Sequence, residues 1–195
     1  MRLFLTRHPI AKANIEGIAQ GQAEGDINEN GLKQIEELIL RLKDEKIDYV
    51  FSSDSVRCKK LASAVANSKR VGLVYNPIFR EINNGDLSNI SKLEISRIRF
   101  WEDILWRPKG GESLLDLDER SKRSKEYLLN QPYERMLLIS HGWFLKSFVG
   151  SLLLMGPLEY MRRLKFSNCS LSEISFDKDN YIIEYLNNRE YLKTR

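Results

Sequence analysis

The fold is decided by two stretches of the chain, Leu-Phe-Leu-Thr-Arg-His at residues 3–8 and Met-Leu-Leu-Ile-Ser-His at residues 136–141. Each is a short apolar run that leads into a polar residue and then a histidine. A run of this kind predicts a buried β-strand. These are the only two histidines in the sequence. Since helical patterns separate the apolar runs, we expect an α/β fold whose largely parallel sheet carries both histidines out at one edge.

The rest of the chain keeps the same alternation. Strands are predicted at residues 48–51 and 71–75, and a hairpin at residues 169–176 and 181–186. Helices are predicted over residues 32–42 with Asn28 or Asn30 as the cap, from Val56 to about Ala66, and from Leu114 towards Gln131. Ser113 and Asp116 resemble a capping box for the last of these. An apolar helix after residue 141 is expected to stop at Gly156-Pro157.

One segment, from about residue 86 to residue 109, does not fit this rhythm. We interpret it as an insertion, lying over one edge of the sheet, in a single domain that covers residues 1–195. It contains Phe100, Trp101 and Trp106. We expect most of these aromatic side chains to pack as core, the alternative being that they stack on a ring of a ligand. The segment has five Lys or Arg against four Asp or Glu, so it gives no sign of a polyphosphorylated substrate.

Composition narrows the class of protein. The net charge of +4 suits an anionic ligand, although simple solubility explains it equally well. The charges of both signs are spread along the chain, so we expect no nucleic-acid partner. Cys58 and Cys169 form no metal-type cluster and no disulfide scaffold. The apolar run at the N-terminus is too short for a signal peptide, and residues 143–155 are too few and too polar to span a membrane. We therefore expect a cytoplasmic protein.

Charged residues follow the other predicted strands. Arg57 begins a helix after the second strand, Arg7 precedes His8, and Glu81 follows the third strand. Any one of these alone would be an ordinary surface residue. Two arginines, two histidines and a carboxyl group at one sheet edge instead suit phosphoryl transfer to an imidazole nitrogen, with the arginines neutralising the phosphoryl oxygens. The chain has no Gly-x-Ser-x-Gly elbow, no Walker loop and no zinc spacing.

The motifs that contain these residues resemble those of the histidine phosphatase superfamily, which includes the cofactor-dependent phosphoglycerate mutases. They follow the family order from residue 1 to about residue 145, and the tail at residues 166–170 is also similar. They are Thr6-Arg7-His8-Pro9 with Asn14, Gln20-Gly21, Ser52-Ser53-Asp54 with Arg57, Arg80 to Gly85, Gly110-Gly111-Glu112-Ser113 and Ser140-His141-Gly142.

The resemblance implies a three-layer sandwich around a mostly parallel sheet, with a small lid insertion. It also implies that His8 is the phosphorylated nucleophile and that Glu81 protonates the leaving oxygen and then deprotonates the attacking water. The phosphoryl group would be held by the side chains of Arg7, Arg57 and His141, in a phosphate pocket that also contains Asn14, Gln20, Gly21 and Gly142. No metal and no organic cofactor is implied.

The sequence departs from the family pattern at two places. Pro9 replaces the usual Gly after the nucleophile, with Ile10-Ala11 in place of an acidic residue and threonine, and Gly85-Asp86-Leu87-Ser88 replaces a Trp-Glu-Gly run. The short chain favours a phosphatase over a mutase. The chain ends are similar to those of alpha-ribazole phosphatases, which makes alpha-ribazole 5'-phosphate one candidate substrate. Phosphoglycerate mutase-type transfer and a non-catalytic phosphate-binding or phosphopeptide-binding module remain as alternatives.

Overall fold

The computed structural model describes residues 1–98, 103–177 and 180–194. The strands are β1 (Arg2–Arg7), β2 (Ile18–Ala19), β3 (Tyr49–Ser52), β4 (Gly72–Tyr75), β5 (Ile90–Ser91), β6 (Arg135–Ser140), β7 (Leu171–Asp177) and β8 (Asn180–Asn188). The helices are α1 (Lys12–Ile15), α2 (Glu29–Arg41), α3 (Val56–Lys69), α4 (Lys92–Arg97), α5 (Leu114–Leu129), α6 (Gly142–Leu152) and α7 (Pro157–Arg163). Single turns of 3₁₀-helix lie at Pro77–Phe79 and Gly85–Leu87.

Six strands form the central sheet in the order β4-β3-β6-β1-β7-β8. The pairs β4–β3, β3–β6 and β6–β1 are parallel, whereas β7 is antiparallel to both β1 and β8. β1, the first strand along the chain, therefore lies in the interior of the sheet, between β6 and β7. This arrangement confirms the predicted α/β class and the mostly parallel sheet, and β7 and β8 form the predicted hairpin, with residues 178 and 179 of its connection outside the described residues.

Alternate residues of each interior strand feed two separate hydrophobic cores. Leu3 and Leu5 of β1 pack on one face of the sheet with side chains of α5, α6 and α7. Phe4, between them, packs on the other face with side chains of α2 and α3. Both faces are thus covered by helices, as the period-2 geometry of a doubly buried strand requires. The predicted three-layer sandwich is confirmed.

Most helix limits agree with the sequence signals. Asn28 is the cap of α2, because its Oδ1 accepts from the amide of Gly31 at 2.8 Å. The Ser113–Asp116 capping box begins α5 as predicted. The apolar helix was predicted too long, since α6 ends at Leu152. Gly156-Pro157, which we interpreted as a stop, begins α7 instead, because proline fits the first position of a helix, where no amide partner is needed.

The described part of the predicted insertion lies across the carboxyl ends of the strands. Its strand β5 pairs with β2, and Lys92 and Ile95 of α4 line the cavity described below. The ends of the segment meet where the amide of Asp86 donates to the carbonyl of Lys109. Gly85 has φ of +52°, and a Cβ there would lie 2.2 Å from that carbonyl oxygen, so a side chain is excluded.

One of the three aromatic residues named in this segment lies within the described ranges, and it differs from our expectation. Trp106 does not pack as core: it is 36% exposed and lines neither cavity described below. Phe100 and Trp101 lie outside the described residues. No helix in the described ranges is both long and apolar enough to cross a membrane.

Candidate active site

The sheet register brings the sequence motifs together at one edge. Arg7 of β1 is the parallel partner of Ser140 of β6, and the amide of His8 donates to the Ser140 carbonyl at 2.9 Å. On the other side of β6, the amide of Ser53 donates to the Ile139 carbonyl at 3.0 Å. The three loops therefore leave the sheet side by side. Because β7 runs in the opposite direction, its entry residues reach the same edge.

His8 is buried, and its ring is fixed by one hydrogen bond to the main chain. Nδ1 lies 2.7 Å from the carbonyl oxygen of Pro9, and because a carbonyl can only accept, Nδ1 carries the proton. Nε2 therefore keeps its lone pair. Burial, followed by the nearby Arg57 and Arg7, holds the pKa of His8 well below its ordinary value. The imidazole is neutral and oriented, as a nucleophile needs to be.

Two guanidinium groups stand beside His8. Arg57 is 2% exposed, and its Nη atoms donate to the carbonyls of Gly21 at 2.6 Å and Ala23 at 3.1 Å. Arg7 donates from Nη1 to the Phe166 carbonyl at 2.9 Å. Each has a buried Nε with no hydrogen-bond partner in the described parts of the chain. Neither arginine forms an ion pair with a described carboxylate. Two neighbouring guanidinium groups, Arg57 buried and Arg7 half-buried, make a site for an anion.

His141 lies behind Arg57 rather than in the cavity wall. Its ring centroid is 5.2 Å from that of His8, and its Nδ1 accepts from Arg57 Nη2 at 3.2 Å. Nε2 then carries the proton and lies 2.8 Å from Ser53 Oγ. Burial lowers the pKa of His141 well below its ordinary value, so it is neutral. In this arrangement His141 contacts the anion site through Arg57, which fixes the tautomer because a guanidinium can only donate, and Ser53 Oγ accepts from Nε2.

Cys58 is the nearest alternative nucleophile. Its Sγ lies 3.5 Å from Nε2 of His141, but burial raises the pKa of the thiol to about 11. A protonated, fully buried thiol is a weak nucleophile. Cys58 and Cys169 are both free and buried, in agreement with the absence of a predicted disulfide.

Glu81 approaches the cavity from the loop after β4. Its Oε1 accepts from the amides of Ile82, Trp143 and Phe144 at 3.0–3.1 Å. The last two belong to the first turn of α6, whose free amides attract a carboxylate. Oε2 has one contact with a described residue, 3.2 Å from the Trp143 amide. The carboxyl group is thus held in place through one oxygen, and the other is the more available for proton transfer.

A separate network holds the Glu81 loop in place. Arg120 of α5 donates to the carbonyls of Ile78, Arg80 and Glu81 at 2.7–3.1 Å. It also forms a two-point pair with the Glu112 carboxylate at 2.8 and 2.7 Å. The Gly-Gly-Glu-Ser motif therefore has a structural role, since its Glu112 anchors Arg120, which in turn fixes the Glu81 loop.

One cavity of about 240 Å³ collects most of the predicted site residues. Arg7, His8, Asn14, Gln20, Gly21, Arg57 and Glu81 all line it. Gly142 does not, although it lies beside Arg7: a Cβ there would make an ordinary van der Waals contact with the Arg7 guanidinium at 3.4 Å. The remaining lining residues were not predicted from the sequence: Ile18, Ala19, Ile82, Asn84, Lys92, Ile95 and Trp143.

Asn168 is a further residue that sequence reasoning missed. Its Nδ2 lies 2.9 Å from the His8 carbonyl, 3.2 Å from the Pro9 carbonyl and 3.2 Å from Asn14 Oδ1. It therefore ties the loop after β1 to the start of β7. The similarity of residues 166–170 to the family tail was the available signal, although it assigned no role. Among the described residues, no three His, Cys, Asp or Glu side chains are grouped so that they could hold a metal ion.

Comparison with known proteins decides the family. The family model "Histidine phosphatase superfamily (branch 1)" matches residues 3–189. The chain belongs to this superfamily. The resemblance inferred from the motifs is confirmed.

The chain is similar both to mutase-like proteins and to phosphatases. It is 30% identical over 190 residues to the Photorhabdus laumondii protein called "Probable phosphoglycerate mutase GpmB", covering 93% of this chain and 88% of that one. Bacillus stearothermophilus YhfR has a TM-score of 0.88 at 21% identity, with 97% and 98% of the two chains covered. The alpha-ribazole phosphatase from Shigella flexneri has a TM-score of 0.87 at 24% identity, with 96% of each chain covered. The two structures show a common fold.

Proposed function

We propose that this protein is a phosphatase that hydrolyses small phosphomonoesters through a phosphohistidine intermediate on His8. One observation carries the proposal: a neutral, oriented imidazole lies beside two guanidinium groups whose Nε atoms are buried and have no partner in the described residues. A phosphoryl group supplies the acceptors that these donors lack. The cavity of about 240 Å³ suits a small ester.

The reaction has two steps. In the first, Nε2 of His8 attacks phosphorus, the bond from phosphorus to the ester oxygen breaks, and Glu81 gives its proton to that oxygen. In the second, Glu81 takes a proton from water, the resulting hydroxide attacks phosphorus, and the phosphorus–nitrogen bond breaks to release inorganic phosphate. Arg7 and Arg57 neutralise the phosphoryl oxygens throughout, and His141 orients Arg57.

The nucleophile is tested by trapping the intermediate. Rapid acid-free quench of the parent with a labelled phosphomonoester should leave acid-labile label on the protein, and His8→Ala should leave none while staying folded. His8→Asn, which keeps a polar group of similar size, is the matched control for packing. Label that persists in both variants would show that another residue is phosphorylated.

All assays contain a chelator, because the proposed chemistry uses arginines rather than a metal ion for charge neutralisation. Loss of turnover on chelation would count against this chemistry.

A second candidate function is phosphoryl transfer of the mutase type, which the 30% identity to the Photorhabdus protein favours. The two functions differ in the acceptor of the phosphoryl group. Label from phosphoglycerate should appear as inorganic phosphate in a phosphatase and in the isomeric phosphoglycerate in a mutase.

Alpha-ribazole 5'-phosphate belongs in the same substrate panel, since an alpha-ribazole phosphatase shares the fold. If no phosphomonoester turns over but phosphate binds, the protein is a phosphate-binding module. A cytoplasmic location stays a prediction.

A further inference from the structure

A second cavity, of about 470 Å³, adjoins the proposed active site. Arg7, Lys92 and Trp143 line both cavities, so the two are neighbours and Arg7 belongs to the wall of each. The second cavity extends from there to the start of β7 and to Arg189, which follows β8. The catalytic steps proposed above use none of the residues that line it alone.

The lining of this second cavity is strongly cationic. The described residues that line it include Arg7, Lys92, Lys146, Lys165 and Arg189, and none of them is an aspartate or glutamate. Lys92, Lys165 and Arg189 form no ion pair with any described carboxylate. The five cations come from five separate segments of the chain, so the near-neutral charge of residues 86–109 did not reveal them.

Several cations of this group are partly removed from water. The Nε of Arg189 is buried and has no hydrogen-bond partner in the described part of the chain. Lys146 donates to the neutral carbonyl of Met161 at 2.7 Å, and the Glu81 carboxylate of the adjoining cavity attracts its charge without forming an ion pair with it. Burial lowers the pKa values of Lys146 and Lys92, so the loss of hydration of these ammonium groups outweighs the attraction of nearby acidic groups. Cations gathered in a cavity repel one another unless an anion joins them.

We infer that this basic cavity binds a second phosphoryl group of the substrate, so that the substrate carries one phosphate at His8 and another between Lys146, Lys165 and Arg189. Four cationic side chains besides Arg7 suit a dianionic phosphoryl group better than a single carboxylate. Because the ligand is the phosphomonoester substrate itself, this inference rests on the proposed function and defines its substrate class.

Binding of non-hydrolysable probes tests the second cavity independently of turnover. Calorimetry compares tetramethylene bisphosphonate and hexamethylene bisphosphonate with butylphosphonate, and with phosphonovalerate, which carries a carboxylate as its second anion. The better bisphosphonate should bind at least about tenfold more tightly than butylphosphonate, and this advantage should shrink as salt rises. Equal binding of the bisphosphonates and butylphosphonate would overturn the inference. An equal gain for phosphonovalerate would overturn the choice of a phosphoryl group.

Variants locate the second site. In Lys165→Gln/Arg189→Gln the ratio of bisphosphonate to butylphosphonate affinity should fall towards one. Arg123→Gln removes an exposed cation of α5 that lines neither cavity, and it should leave the ratio as in the parent. A ratio that survives in the double variant would overturn the assignment to this cavity. If the protein hydrolyses no phosphomonoester, the proposed function is contradicted. The ratio of bisphosphonate to butylphosphonate affinity still tests whether the second cavity binds a phosphoryl group.

Discussion

At the scale of single residues, Glu81 is the group whose role depends most on local geometry. Its Oε1 accepts three amide hydrogen bonds, whereas Oε2 has one longer contact. A glutamine in its place keeps an oxygen for those amides but has no acidic proton. Glu81→Gln should therefore slow alkyl phosphates by roughly 10²–10⁴-fold and activated aryl phosphates much less. The measurement is kcat for one ester of each kind, and an equal loss for both would argue against proton transfer by Glu81.

Pro9 replaces a residue that is usually glycine, but the feature that His8 needs from it is the carbonyl. That carbonyl accepts from His8 Nδ1 and is itself fixed by Asn168 Nδ2. Since the proposed phosphate site has the guanidinium groups of Arg7 and Arg57 as donors, we expect the missing amide to be dispensable. We expect Pro9→Gly to change kcat/KM by less than about tenfold, or ~1.4 kcal/mol. Assaying parent and variant on one phosphomonoester checks this. An inert parent with an active Pro9→Gly would identify the native protein as a binding module.

The candidate site residues could be predicted from the sequence because they lie just after predicted strands. His8, His141 and Arg57 each follow an apolar run closely, and the parallel register then brings them together. Lys146, Lys165 and Arg189 could not be found in this way. They lie on a helix, in a loop and beyond the hairpin, and only the packing of α6 against the entry to β7 makes them neighbours.

At the scale of elements, the loop that carries Glu81 depends on α5. Arg120 is 11% exposed and holds three loop carbonyls and the Glu112 carboxylate at once. Lysine keeps the charge but cannot reach all four acceptors. Arg120→Lys should lower the free energy of unfolding by roughly 2–3 kcal/mol and should also lower kcat, because the Glu81 backbone loosens. Urea unfolding and steady-state kinetics measure the two effects.

The control for this substitution is Arg107→Lys. Arg107 also pairs with a carboxylate on α5, Asp116 at 3.3 Å, but it is 60% exposed, so its loss should cost less than about 1 kcal/mol. Equal effects of the two substitutions would show that the Arg120 network has no special role.

Element limits were predicted well where capping chemistry marks them, as at Asn28 and at Ser113. They were predicted poorly where one signal has two meanings. Gly156-Pro157 ends some helices, yet here the proline occupies the first turn of α7. The two-residue strands β2 and β5 carry too little periodicity to detect, and they form only because the segment folds back over the sheet edge. Tertiary contact, rather than local propensity, determines such elements.

At the scale of the whole molecule, the two buried histidines make stability depend on pH. Their pKa values are held well below the ordinary 6.5 in the folded state, chiefly by burial. Below about pH 6.5 the unfolded chain therefore takes up protons that the folded protein does not. The free energy of unfolding should fall as pH falls from 6.5 towards 5, by at most roughly 1.4 kcal/mol per pH unit for each histidine. Urea unfolding across this range measures the slope.

The variant His8→Asn isolates one histidine and should reduce the slope by about half of the histidine contribution. The comparison matters because Glu173, whose pKa burial raises, acts in the opposite direction over part of this range. If parent and His8→Asn show the same dependence on pH, then His8 does not resist protonation in the folded protein.

The interior position of β1 in the sheet affects how the protein folds during its synthesis on the ribosome. The N-terminal ammonium donates to Phe176, and β1 finds its partners only in β6 and β7. His8 is translated before Asn168, which fixes its loop and lies 160 residues further along the chain. β1 therefore remains an unpaired apolar strand until β6 and β7 have been translated. Contacts so distant along the chain slow folding and leave that strand open to chaperones or to aggregation in the meantime.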